Sequence, residues 1–398
     1  MYIKHQIIII GGGNGGIATA AQLLNKDTTL DIAIIEPSDK HYYQPAWTMV
    51  GGGFYDINDT VRSEATFIPK GVKWIKDAAI DFQPEKNTIS LKSGKTVAYD
   101  YLVVAPGIQL NWNEIKGLEE NVGKNGVCSN YSFNTAPYTF ECLKNSKSGR
   151  AIFTSPHTPV KCGGAPQKIM YIAADYFRKN NLSNNIQVEF WSGGTKLFGV
   201  KKFEDALKKV IAKFKIKENY YNKLVEIDGP NKRAKFIGFG DSNRDVETWI
   251  EYEMIHVTPP QSAPDFIKNS PLANATGWVD VDKHSLQHVK FANIFSLGDA
   301  SSLPTGKTGA AIRKQTPVLV QNLLSSIKGE AMLASYNGYS SCPLITGRGK
   351  LILAEFDYDN IPQETFPFNQ AKERWSMFIL KRYILPYLYW TRILKGKM

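Results

Sequence analysis

The chain has 398 residues, 43% of them apolar and 21% charged, enough for two or three domains with cores of their own. A formal net charge of +11 asks for an anionic partner, yet the basic residues are spread out and no zinc-finger, homeodomain or RNP pattern occurs, which argues against nucleic acid. Four cysteines without CxxC or Cys/His spacing argue against a structural zinc site, and a chain of this size does not need a disulfide framework.

In chain order, residues 6–10 read as a buried parallel strand. They run into GGGNGG, in which Gly11, Gly13 and Gly16 make GxGxxG, and a helical pattern covers residues 17–24. Residues 31–35 form a second strand ending at Glu36. Strand, glycine turn, helix, strand and an acid about 20 residues on is a dinucleotide-binding fingerprint. Gly11 makes the tight turn, Gly13 admits a pyrophosphate and Gly16 lets the helix pack on the strand. The helix start, with Asn14 and Gly15, offers free N–H groups to phosphates. Glu36 suits ribose hydroxyls and would repel a 2′-phosphate, which disfavours NADP. The first strand opens the sequence with no arginine- and serine-rich presequence ahead of it, so a bacterial cytoplasmic start or a processed chain is expected. No apolar stretch reaches the roughly 18 residues of a membrane span.

Residues 101–109 form an apolar strand ending in Ala105-Pro106-Gly107. Residues 150–154 and 185–194 read as consecutive strands of a second α/β unit, where a second GxGxxG would lie between them. The sequence there is SPHTPVKCGGAPQK, so NADH is not the expected electron donor. Cys162 instead stands at a helix start. The helix dipole, worth roughly 0.3–1 kcal/mol, and the adjacent Lys161 should favour its thiolate. Gly163 and Gly164 would let the backbone approach a flat partner. In residues 200–217, Phe203, Leu207, Val210 and Phe214 recur at helical spacing and face inward, leaving the lysines to solvent. Residues 293–301 form a strand ending in Gly298-Asp299, and Lys307 precedes another helix. Cys342 falls in a polar turn before a proline and strands. Cys128 reads as a small buried residue, with a part in redox chemistry as the alternative, and Cys142 as part of a helix. None of the six histidines forms a metal pair; all read as structural, His157 being the one near Cys162. In the tail, Trp, Tyr, Leu and Ile alternate with Lys and Arg. Pro386 divides it into two short amphipathic pieces suited to a membrane interface, with packing on the core or a dimer contact as the alternative.

The segments EPSDKHYYQPAWTMVGGG, TPVKCGGAPQKIMY, FGVKKF, YEMIHVTPPQSAPD, GWVDVDKHSLQH, GDASSLPTGKTGAA, SCPLITG and ILAEFDY together resemble the sulfide:quinone oxidoreductase family, in the group that includes the mitochondrial enzyme. The resemblance covers nearly the whole chain. It implies an α/β fold of two tandem Rossmann-like domains, of the FAD-dependent disulfide oxidoreductase type, with a C-terminal amphipathic membrane-binding region. The FAD domain would be split into residues 1–112 and 285–345 around a second domain, 113–284, that lacks an NAD(P)H fingerprint; residues 346–398 would meet quinone and membrane. FAD would be held by Gly11, Gly13, Asn14, Gly15, Gly16, Glu36, Pro45, Ala105, Gly107, Gly298, Asp299 and Lys307, the last at the N1–C2=O edge of the flavin.

By the same resemblance, Cys162 and Cys342 are the redox pair. Hydrosulfide attacks their oxidised bridge, Cys342 keeps the extra sulfur as a persulfide, and Cys162 donates to the flavin. Quinone is reduced on the membrane-facing side, and sulfite, a low-molecular-weight thiol or coenzyme A removes the sulfane sulfur. The implied partners are hydrogen sulfide, a membrane quinone, that acceptor and a membrane surface, without nucleic acid; a homodimer is left open. The expected location is peripheral, on the cytoplasmic face of a bacterial inner membrane. A type II NADH:quinone oxidoreductase and a non-catalytic sulfide sensor or sulfur carrier are the competing readings.

Overall fold

The run IKHQIIII forms the central strand Ile3–Ile10 of a mostly parallel sheet in the computed structural model, which describes residues 3–398. Its last four residues are buried, as a strand covered on both faces requires. Ile32–Ile35 pairs on one side, with Ile7 opposite Ile32, and Lys73–Ile75 lies beyond it. Thr96–Val104 pairs on the other side, with Ile10 opposite Val104. Late in the chain, Ile294–Ser296 adds a further parallel strand against Leu102 to Val104. The sheet is therefore completed only after the chain has left it and returned.

In the interval the chain builds a second parallel sheet. Its order is Val127–Cys128, Met254–His256, Gly149–Ser155, Ile186–Ser192, Lys217–Asn219. A three-stranded antiparallel meander spans Asn222–Asp228, Arg233–Gly238 and Glu247–Glu251. The expected basic helix is present as Lys201–Phe214; Phe203, Leu207 and Val210 are buried with Ile211, whereas Phe214 is only half-buried, under Arg178 and Lys213.

Two expectations change. Cys342 is not in a turn: it lies within the strand Ser340–Gly347, which forms an antiparallel hairpin with Lys350–Phe356, Cys342 opposite Ala354. The hairpin is only two strands wide, so Pro343 can occupy a strand without breaking a central ladder. The tail is not two separate pieces either. Trp375–Ile379, a π-turn at Leu380–Ile384 and Leu385–Thr391 run on as one helical rod. Pro386 sits in the first turn of the last segment, where its missing N–H costs least, and the π-turn before it absorbs the change of register.

One side of the rod packs on the first domain. Tyr389 meets Tyr43 at 4.7 Å, Trp390 meets Phe67 at 5.0 Å and Phe378 meets Phe54 at 5.7 Å between ring centroids. The other side leaves Trp375, Tyr383, Ile384 and Tyr387 exposed, with Arg392 and Lys395 nearby in sequence. Core packing and an exposed aromatic face thus coexist in one element. Among the described residues, no helix is long and apolar enough to cross a membrane.

Candidate active site

The fingerprint turn is formed as its glycines require. Gly11 adopts φ +97°, and a Cβ there would collide with the carbonyl of Ala105. The Ala105-Pro106-Gly107 strand end therefore lies against the turn. Gly16 packs on the Gly11 carbonyl, and Gly13 faces open space. The helix Asn14–Lys26 follows at once. Asn14 Oδ1 is buried with no hydrogen-bond partner among the described residues, and its amide lies 3.6 Å from where a Cβ of Gly309 would stand, at the start of the helix Gly309–Lys328. Leu297, just before the Gly298-Asp299 turn, packs near Gly15. Two helix starts thus converge on one space with an unused polar atom aimed into it.

Glu36 closes the turn from the end of the second strand. Its carboxylate accepts from the N–H of Gly12 at 2.8 Å and of Ser38 at 2.7 Å. Pro45 is exposed in the short helix Gln44–Ala46, next to the thiol loop rather than to the fingerprint.

The thiol loop lies at the other end. Cys162 Sγ and Cys342 Sγ are 3.4 Å apart, although 180 residues separate them in sequence. Cys162 sits just ahead of the helix Ala165–Lys179 at φ +54°, a left-handed conformation that non-glycine residues seldom adopt. Two short backbone bonds hold it there: its N–H donates to the Lys307 carbonyl at 2.7 Å, and its carbonyl accepts from Ala165 at 2.7 Å.

The lysine that acts on the sulfur is not Lys161. Lys161 turns away, donating to Gln44 at 2.7 Å and lying over the rings of Trp47 and Tyr131. Lys168, one turn into the helix, places Nζ 3.0 Å from Cys162 Sγ and is buried. A second buried lysine, Lys381, arrives from the tail. The hydrogen bond from Cys342, working against burial and aided next by Lys168 and then Lys381, holds the Cys162 thiol well below its ordinary range. That same bond, together with burial, pushes Cys342 well above it. The pair is therefore asymmetric: Cys162 is the thiolate and Cys342 the thiol that donates to it. Burial first, and Lys168 second, bring Lys381 down to about 7.

Gly164 serves this contact. A Cβ there would collide with Leu344 and stand 3.4 Å from Cys342 Sγ, whereas Gly163 faces open space. Gly164→Ala should push the hairpin away from Cys162 and lower turnover by about 10–100-fold with little change in cofactor content; turnover and absorbance of the purified variant test this.

Lys307 carries its ammonium under the Gly298-Asp299 turn, donating to the carbonyls of Asp299 at 2.7 Å and Ser301 at 3.0 Å, over the Trp278 ring. Burial lowers it to about 8. Asp299 is raised by burial, with Lys307 and Lys161 opposing. Gly298 adopts φ +74°. A cavity of about 400 Å³, lined in part by Pro159, Trp278, Lys307, Phe356 and Tyr358, adjoins this side of the thiol loop. A larger groove of about 570 Å³ lies at the opposite end of the second sheet, beside Arg150 and Tyr252.

The remaining candidates take structural places. Cys128 is fully buried, its thiol directed to the Ile255 carbonyl at 3.5 Å, and adjoins the buried Cys142. His157 is exposed and packs on Gly193. His284 and His288 bond the carbonyls of Tyr336 and Leu272.

The pyridine nucleotide-disulphide oxidoreductase model matches residues 5–135. A solved sulfide:quinone oxidoreductase from Aquifex aeolicus superposes with a TM-score of 0.84, covering 98% of this chain and 92% of that one at 20% identity. The mitochondrial sulfide:quinone oxidoreductase of Dictyostelium discoideum is 48% identical over 98% of this chain and 86% of its own length. That of Mus musculus is 44% identical over 98% of this chain and 87% of its own. At these identities, and over nearly its whole length, the chain belongs to the sulfide:quinone oxidoreductase family, among the relatives of the mitochondrial enzymes.

Proposed function

We propose that the chain oxidises hydrogen sulfide at Cys162 and Cys342 and, with FAD bound, passes the electrons to a membrane quinone. The observation that carries this reading is the thiol pair: two sulfurs at 3.4 Å, with a buried ammonium 3.0 Å from Cys162 Sγ. The cofactor pocket supports it through Asn14 Oδ1, without a partner among the described residues, the open face at Gly13 and the half-buried Asp299. Gly11, Gly13, Asn14, Gly15 and Gly16 would hold the pyrophosphate, Glu36 the ribose, and Ala105, Gly107, Gly298, Asp299 and Lys307 the flavin half, with Pro45 at its edge. When bound, FAD supplies a two-electron acceptor for the thiols and a donor to quinone.

The chain's own steps follow from the asymmetry of the pair. Hydrosulfide attacks Cys342 Sγ of the oxidised bridge; the new S–S bond leaves a persulfide on Cys342, and Cys162 departs as a thiolate. Lys168 stabilises that leaving sulfur, which directs the attack to Cys342. A nucleophilic acceptor (sulfite, a small thiol or coenzyme A) takes the outer sulfur and leaves Cys342 reduced. The bridge re-forms when the two sulfurs give up two electrons.

The exposed aromatic face of the tail rod, with its neighbouring basic residues, docks on the quinone-bearing membrane, on the cytoplasmic side if that membrane is a bacterial inner one. A homodimer is compatible with this placement.

Anaerobic titration of the purified protein with sulfide, with and without a soluble quinone, tests the proposal. The flavin band should bleach with sulfide and return with quinone, and NADH should leave it unchanged. Bleaching by NADH and not by sulfide would overturn it.

A further inference from the structure

A buried polar chain away from the thiols joins the tail to the dinucleotide turn. Glu64 is 1% exposed and His41 3%. His41 Nδ1 lies 3.0 Å from Glu64 Oε2, and His41 Nε2 lies 2.6 Å from the hydroxyl of Tyr389, in the tail rod. Glu64 Oε1 has no partner among the described residues. It points at Gly12, where a Cβ would collide with it and would also stand 2.7 Å from Glu36 Cγ. Two carboxylates therefore face the same turn, and only Glu36 is used by backbone N–H groups there.

An unpartnered buried carboxylate oxygen is costly unless a ligand meets it. In a fingerprint of this kind the terminal acid takes a ribose hydroxyl, so a ribose held by Glu36 would bring its two vicinal hydroxyls to the side of the turn that Glu64 faces. We propose that Glu64 is a second carboxylate for the adenosine ribose of FAD, and that Tyr389, through His41, fixes its orientation, so that seating of the tail strengthens cofactor retention. This rests on the FAD reading above. Burial raises the Glu64 carboxyl, with the His41 hydrogen bond opposing and Glu36 adding to the rise. A hydroxyl can donate to this group when it is ionised and accept from it when it is protonated.

The test is the affinity of apoprotein for FAD and for FAD carrying 2′,3′-dideoxyadenosine, read by flavin fluorescence. Glu64→Gln should weaken FAD about tenfold and leave affinity for the dideoxy analogue within about twofold of the unsubstituted chain. Tyr389→Phe should weaken FAD by about two- to fivefold, again sparing the analogue, with the alkylation rate of Cys162 unchanged. FAD affinity unaffected by Glu64→Gln, or equal losses for both ligands, would overturn the proposal. If Glu64→Gln does not fold, the two-ligand comparison on Tyr389→Phe decides in the same way. An unsubstituted chain that takes up no FAD sinks the cofactor reading itself.

Discussion

Cys342→Ser should lower sulfide-dependent quinone reduction by at least about a thousandfold, the scale at which a covalent reaction loses a required partner. A serine can replace the Cys342 thiol as hydrogen-bond donor to Cys162, so the fold and the Cys162 thiolate should survive. It cannot form the bridge that hydrosulfide attacks. Cys162→Ser should be equally inactive for the same reason. The two variants part company in thiol chemistry. With Cys342→Ser, the low-pKa Cys162, half-exposed in the thiol loop, should still alkylate rapidly. With Cys162→Ser, the remaining thiol of the pair is the buried Cys342, Cys128 and Cys142 are buried too, and alkylation at neutral pH should become slow. Flavin absorbance should remain in both, because the fingerprint turn is built from other residues. Native turnover by either variant would remove the thiol pair from the mechanism.

The dinucleotide turn was legible because everything it needs is local. Strand, three glycines, helix and terminal acid fall within a few dozen residues; Gly11 and Gly16 each answer to a close contact, and Gly13 leaves its side of the turn open. The thiol centre was legible in only one half. The position of Cys162 before a helix could be read, but the nearest lysine in sequence is not the nearest in space. The left-handed backbone at Cys162 swings Lys161 towards Gln44, whereas Lys168 returns along the helix face to the sulfur. Ser-Ser-Cys-Pro carries turn residues, and it took a two-stranded hairpin to make them a strand. Cys342 could be paired with Cys162 only by resemblance to a family, since no local periodicity spans 180 residues. The tail misled for a similar reason. A proline usually breaks a helix, and no pattern in the sequence announces the π-turn that accommodates Pro386 or the burial of Lys381 in a rod that also carries exposed aromatic residues.

Lys168→Met should move the titration of Cys162 to higher pH and slow its alkylation near neutral pH by about 10–100-fold, one decade for each pH unit of the shift. Burial opposes the charge on Lys168, but the two cysteine sulfurs, Cys162 first, outweigh it and raise the ammonium above its ordinary value. The partner thiol is lowered, so the ion pair is complete between the depressed thiol value and the elevated lysine value. The sign for stability follows from the same shifts. Cys162 is depressed in the folded chain, so its contribution is present above the unfolded thiol value, about 8.5, and is lost as pH falls through the folded one. Lys168 is raised, so its contribution is present below the unfolded lysine value, about 10.4, and is lost as pH rises through the folded one. In Lys168→Met the acid-side loss should flatten, because the thiol then titrates closer to its unfolded value. Lys381 should compensate in part: removing a like charge beside it favours its protonated form. Lys168→Arg keeps a cation near the sulfur and should recover part of the alkylation rate, which a purely steric role for Lys168 would not predict. Alkylation of the reduced protein between about pH 5 and 9, beside thermal melts over the same range, measures both effects; a pH profile identical to that of the unsubstituted chain would show that Cys342 alone sets the thiolate.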